Sequence, residues 1–211
     1  MYNKYFKHEK GITGLETAII LIAFVVVAAV FAYTALSAGL FSTQKAQEAV
    51  YSGLQEAQST LEMKGGVIAT ANITTAVDPV NACIGQLSFT VSNVLGGQAI
   101  DFSEPSTSAG GKVTSTDNKV VINYLDQNQQ QDNLYWTVTK VGNDDGDYLL
   151  ETGEKFQVNV GGGAGNNLTD ALGTNLGINQ KFSIQILTPA GAVLTIERTT
   201  PAVIDQIMNL R

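Results

Sequence analysis

The densest run of hard oxygen donors lies at Asn143-Asp144-Asp145-Gly146-Asp147-Tyr148-Leu149-Leu150-Glu151-Thr152-Gly153-Glu154. Asn143, Asp145, Asp147, Glu151 and Glu154 fall at positions 1, 3, 5, 9 and 12 of a twelve-residue calcium-loop pattern, with the Leu149 carbonyl at position 7. Calcium is a hard cation, and a turning backbone would point oxygens on alternating residues inward towards it. Tyr148 stands where that pattern requires Gly, and strand-forming rather than helical sequence flanks the loop. The competing reading is a solvated acidic turn of the kind Asp-Gly pairs commonly make. Both readings stay open at this point, and calcium is the only cofactor the sequence suggests.

A second chemistry is modification. Asn72-Ile73-Thr74 and Asn167-Leu168-Thr169 are acceptor triplets for N-glycosylation, which would make an oligosaccharyltransferase a partner. Fourteen Asn follow Gly65, and roughly two triplets would arise by chance. Their weight therefore comes from topology, since a segment exported past a membrane meets the glycosylation machinery.

Catalytic constellations are scarce. Cys83 is the single cysteine and His8 the single histidine. One cysteine allows no intrachain disulfide, and since His8 lies in the segment read as a leader, a mature chain without it would hold no Ser–His–Asp triad, Cys–His pair or His-ligated zinc site. The glycine-rich stretch at 161–165 lacks the Lys-Ser/Thr of a phosphate loop and reads as a flexible surface loop. Carboxylate pairs such as Asp144/Asp147 could formally act as acid and base, but nothing marks a pocket. The expectation is a protein that is not an enzyme.

The elements carrying these residues differ sharply along the chain. Residues 18–36 are apolar throughout except for Thr34 and the phenolic tip of Tyr33, and this run of 19 residues matches the ~20 that cross a bilayer as a helix. Beyond Gly39, Ala46, Val50, Leu54, Ala57 and Leu61 recur every three or four residues, with Lys45, Glu48, Gln55, Glu56 and Glu62 off the stripe. That pattern continues the helix in amphipathic form. Residues 12–64 read as one helix of ~80 Å with bends at Gly39 and Gly53. Twelve large apolar or aromatic side chains in 18–36 would cost on the order of 20–35 kcal/mol if left in water. The segment must sit in lipid or among other subunits. Thr13-x-x-Glu16 reads as a capping box placing an acid in the first turn.

The remaining charge points the same way. The chain carries −7, and without its first eleven residues, which hold three lysines and one glutamate, it carries −9. A phosphate binder needs a basic face, so nucleic acid is excluded as a partner. The basic segment 1–11 would stay cytoplasmic as the next segment enters a membrane. No short core ending in Ala-x-Ala follows, so cleavage after the apolar run is not expected.

Lys10-Gly11-Ile12-Thr13-Gly14-Leu15-Glu16 and the apolar run after it resemble the class III signal of type IV pilin-like precursors. More narrowly, Gly14-Leu15-Glu16, residues 21–33, residues 36–42 and Lys64-Gly65-Gly66-Val67-Ile68-Ala69 resemble an archaellin, the subunit of the archaeal flagellum. The close resemblance covers residues 10–69. It implies cleavage between Gly11 and Ile12 by a membrane prepilin peptidase, which leaves Glu16 fifth in the mature chain. In that family the acid helps to register an incoming subunit. The implied partners are the chain itself, as homopolymer or co-polymer with other archaellins, and a membrane motor with its assembly ATPase platform. The implied location is an extracellular filament, reached through transient insertion in the cell membrane.

From Gly66 onward short β-branched runs alternate with Gly, Asn, Asp and Pro punctuation. The spacing predicts strands at 86–92, 120–125, 134–140, 155–160, 181–187 and 192–197, with weaker ones at 67–71 and 94–102. The expected class is α+β: a leader at 1–11, a helix at 12–64 serving as membrane segment and then filament core, and an immunoglobulin-like antiparallel β-sandwich head at 65–211. The function expected is that of a structural filament subunit for swimming motility. An adhesive archaeal type IV pilin is the first alternative. A membrane-tethered binding ectodomain is the second, in which the stripe at 46–61 would pack on its own head.

Overall fold

The computed structural model describes residues 12–58, 60–72, 82–94, 97–163 and 165–210, with the side chains of residues 12, 13, 55, 56 and 58 outside the description. The chain forms two compact units, one ending at Ser52 and the other starting at Gly53.

The first unit is helical. Helix α1 spans Ile12–Gln58, 47 residues, about 70 Å at 1.5 Å per residue. It runs through Gly39 and Gly53 without interruption. Its apolar side chains from Leu15 to Leu54 are exposed. Two hydroxyls in its apolar half are satisfied locally: Thr17 and Thr34 donate to the carbonyls of Gly14 and Phe31, both at 3.0 Å. Such back-bonding lowers the cost of carrying a hydroxyl into an apolar surrounding. Further along, Lys45 and Glu48 pair at 2.6 Å, mostly exposed, which contributes little by itself.

The helix ends six residues short of the expected 64. Strand β1 occupies Leu61–Ala71, so residues 61–64 are strand where the sequence predicted helix. Leu61 continues the helical stripe by spacing, yet Leu61/Met63 against Glu62/Lys64 also alternates with period two. The tertiary context decides between them. Leu61, Glu62, Met63 and Lys64 pair with Asn93, Ser92, Val91 and Thr90 of β2 (Ile84–Asn93), and this buries Leu61 to 4% exposure. A register shift follows between Lys64 and Ile68, where Gly65 takes a φ of 89° that most side chains would resist.

The strands that follow are β3 (Ile100–Asp101), β4 (Ser108–Ala109), β5 (Lys112–Val113), β6 (Val121–Asp126), β7 (Gln130–Gln131), β8 (Trp136–Val141), β9 (Leu149–Leu150) and β10 (Lys155–Gly161). A single helical turn, α2 (Leu168–Ala171), precedes β11 (Lys181–Leu187), β12 (Val193–Thr199) and β13 (Ile207–Leu210). One sheet has the order β13-β1-β2-β10-β8 and the other β12-β11-β6-β7. Every pairing is antiparallel.

Alternation builds the core between these sheets. Leu87, Phe89 and Val91 of β2 and Phe156, Val158 and Val160 of β10 are buried with Ile122 and Tyr124 of β6 and Phe182, Ile184 and Ile186 of β11. Phe102 meets Trp136 and Phe156 edge-on at 5.9 and 6.0 Å, while Tyr124 stacks on Phe182 at 6.0 Å. This is the antiparallel β-sandwich of the immunoglobulin-like type. Strand β8 closes one edge, and the Glu104 carboxylate accepts from its Val138 N–H, blunting an edge that would otherwise be open to pairing.

The head also differs from expectation in its weaker elements, with the two-residue strands β4, β5, β7 and β9 and the turn α2 all unpredicted. Among its described residues, the segment 94–102 contributes the two residues of β3. Conversely, the terminal strand β13 carries no sequence forecast; it completes the sheet by pairing Val67 with Leu210 and Ala69 with Met208.

Candidate functional site: the helix surface, the acidic loop and the acceptor asparagines

The largest functional surface is α1 itself. Residues Gly14–Leu54 form a segment long and apolar enough to cross a membrane by length and composition, with none of its apolar window buried in the chain. Glu16 is exposed on this surface. No other charged residue follows until Lys45. The helix already includes Ile12 and Thr13, so Thr13 does not flank the first turn as the capping-box reading requires. Gly11 and the residues before it, His8 included, lie outside the described residues, and of Ile12 only the backbone is described.

The acidic stretch folds as a turn. Asn143 and the following residues through Leu149 are exposed. Gly146 N–H donates to Asp144 Oδ1 at 2.9 Å, Asp147 N–H to Asp145 Oδ1 at 3.2 Å and Leu149 N–H to Asp147 Oδ1 at 2.8 Å. Glu154 Oε2 accepts from Glu151 N–H at 2.9 Å. The carboxylates of Asp144, Asp145, Asp147 and Glu154 thus turn onto backbone amides two or three residues away, as Asx turns do. Leu149, whose carbonyl was expected as a ligand, sits in β9 opposite Asp101. Among the described residues no three His, Cys, Asp or Glu side chains gather to hold a metal ion. In this geometry Asn143, Asp145, Asp147, Leu149, Glu151 and Glu154 are not gathered into one ligand set, and the loop has the form of an exposed acidic turn.

The acceptor triplets show an arrangement that sequence reasoning missed. Asn72 Nδ2 donates to Thr169 Oγ1 at 2.7 Å, linking the Asn of one triplet to the Thr of the other. Ile73 and Thr74 lie outside the described residues. Asn167 precedes α2, and its N–H donates to Asp170 Oδ2 at 2.8 Å. The carboxylate there favours the first turn electrostatically as well.

The glycine-rich stretch, expected as a free loop, begins with a packed residue. A Cβ on Gly161, whose φ is 78°, would lie 2.7 Å from the Gly85 carbonyl oxygen and 2.8 Å from Leu168 N. Only Gly fits such a close backbone approach. Cys83 is half-buried, and burial pushes its thiol above the ordinary range, away from the reactive thiolate form.

In the second sheet Asp126 gathers donors. Tyr124 Oη donates to its Oδ2 at 2.8 Å, while the Asn128 and Gln129 amides donate to Oδ1 at 2.6 and 2.8 Å. Burial pushes the carboxyl up, but these hydrogen bonds outweigh it and hold Asp126 below its ordinary range. Burial, with Asp126 beside it, drives the Tyr124 phenol upward.

A family model described as archaeal-type flagellin matches residues 11–198. A probable flagellin 1 of Archaeoglobus fulgidus is 36% identical over 214 residues, covering 98% of this chain and 98% of that protein. Among solved structures, the archaeal flagellum of Methanospirillum hungatei strain JF1 aligns with a TM-score of 0.60 at 28% identity, over 93% of this chain and 98% of its own. The flagellin FlaB1 of Methanocaldococcus jannaschii shares the fold, with a TM-score of 0.51 at 14% identity over 71% of this chain and 95% of its own.

Proposed function

The chain belongs to the archaeal-type flagellin family, and from that premise we propose that it is made as a precursor, cut between Gly11 and Ile12 by a prepilin peptidase, and drawn from the membrane into a filament through α1. It is a structural subunit of the archaellum, polymerising with copies of itself into the extracellular filament that serves motility.

The observation that carries the proposed route is the exposed apolar surface of α1 from Leu15 to Leu54. Water would penalise that surface heavily, so it passes from one apolar surrounding to another, lipid first and neighbouring helices afterwards. Cleavage would leave a free amine on Ile12 with Glu16 one helical turn away on the same chain. A carboxylate is costly among apolar helices unless it is paired. Pairing Glu16 with the amine of an adjacent subunit would set the axial stagger.

The membrane motor, its assembly ATPase platform and an oligosaccharyltransferase are the further partners this reading requires. A rotating filament needs packing and head contacts from this chain, not turnover, and no catalytic role is assigned to it. Mass spectrometry of the N-terminus of shed filaments, combined with electron microscopy, tests the route. The expected result is Ile12 as the first residue of every filament subunit. Filaments built from chains that retain Met1 would refute it.

A further inference from the structure

We propose that the folded head closes its own acceptor at Asn167, so that a sugar can be attached there only before α2 forms. The inference rests on the reading of Asn167-Leu168-Thr169 as an acceptor triplet.

A transferase distinguishes such a triplet from any other Asn by the hydroxyl two residues on. In the folded head that hydroxyl is taken: Thr169 Oγ1 accepts from Asn72 Nδ2 at 2.7 Å, in a part-buried position. The backbone is equally committed. Asn167 N–H donates to Asp170 Oδ2 at 2.8 Å, Asp170 N–H to the Asn167 carbonyl at 2.9 Å, and Leu172 N–H to the Leu168 carbonyl at 3.0 Å. The central residue of the triplet, Leu168, is 1% exposed and belongs to the core.

Neighbouring backbone leaves this turn no freedom to shift. A Cβ on Gly111 would lie 2.7 Å from the Asn167 carbonyl oxygen and 2.8 Å from Ala171 N, and one on Gly161 would lie 2.8 Å from Leu168 N. Presenting the triplet as an extended segment would break all these bonds and withdraw Leu168 from the core together. Accessibility then depends on a rare open state. In the transfer itself the new bond joins Asn167 Nδ2 to the anomeric carbon of a lipid-linked sugar. The bond from that carbon to the lipid phosphate breaks, with its electron pair leaving on the phosphate oxygen, and one amide proton goes to base. Every part of this step needs the Asn167 amide within the enzyme's cleft.

The test uses the full-length chain, made without glycan and held in detergent, with archaeal membranes supplying the oligosaccharyltransferase and its lipid-linked sugar. One sample is folded, one is added directly from denaturant, and site-resolved mass spectrometry follows Asn167. The folded chain is expected to be modified at least about tenfold more slowly than the unfolded one, because only its open population reacts. Gly111→Ala, which loosens α2 without altering the triplet, should recover much of the difference in the folded sample. Equal rates for folded and unfolded chain would overturn the inference alone. Modification of neither form would overturn the acceptor reading and the inference with it.

Discussion

Leu61 stands opposite Asn93 in the β1–β2 ladder, and Asn93 in turn donates its side-chain amide to the Gln98 carbonyl at 2.7 Å and the Leu150 carbonyl at 3.3 Å. One cross-strand pair thus joins the first residue of β1 to two later segments. It assigns Leu61 to the core of the sandwich, although its spacing from Val50, Leu54 and Ala57 continues the helical stripe.

Leu61→Ala should therefore act on the head. Truncating a buried leucine typically costs about 2–5 kcal/mol, and denaturant unfolding followed through Trp136, the single tryptophan, should register it. Leu54, 52% exposed, offers the contrast: Leu54→Ala should change head stability by no more than about 0.5 kcal/mol while lowering filament yield.

Glu16 should matter only for assembly. Glu16→Ala is expected to lower the number and length of filaments seen by electron microscopy while precursor cleavage, followed by gel mobility, continues. Normal filaments in that variant would contradict a role in stagger.

Acid stability should depend on Asp126. Its folded-state carboxyl titrates below the unfolded one, so its contribution is complete above the unfolded range and is lost as pH falls through the folded value. Stability of the wild-type head should decline below about pH 4. Asp126→Asn should be less stable at neutral pH and show a shallower acid decline, measurable as melting temperature against pH.

Chelation should leave the head untouched. With the carboxylates of Asp144, Asp145, Asp147 and Glu154 turned onto nearby amides, excess EDTA is expected to leave the Trp136-monitored melting temperature unchanged, and added calcium to do the same. A rise of several degrees with calcium would restore the metal reading.

Gly161→Ala should be among the more damaging small substitutions. The new methyl meets backbone atoms of Gly85 and Leu168, and the positive φ adds strain of its own, so a loss of about 1–3 kcal/mol is expected in denaturant unfolding.

The long helix and the strong strands were legible because each has one dominant period. Phe182, Ile184 and Ile186 alternate cleanly, and β11 has the expected bounds of Lys181–Leu187. Residues 57–64 satisfied two periods at once, and only pairing with β2 separates them. Strand β13 reads poorly because Ile207 and Asn209 point outward while Met208 and Leu210 point inward, a pattern of four residues too short to stand above background. The Asn72–Thr169 bond spans 97 residues; nothing local announces it. Donor spacing in the acidic loop matched a ligand pattern, but spacing alone does not fix whether carboxylates converge or cap their own amides.

The placement of β1 has a mechanical corollary. This strand lies inside its sheet, with β13 on one side and β2 on the other, and it is the strand directly continuous with α1 in the chain. Tension applied along it would load two hydrogen-bonded ladders in shear, many rungs sharing the force together. A strand at the margin would have only one such ladder to share the load. The chain thus enters the head at a strand held by a partner on either side.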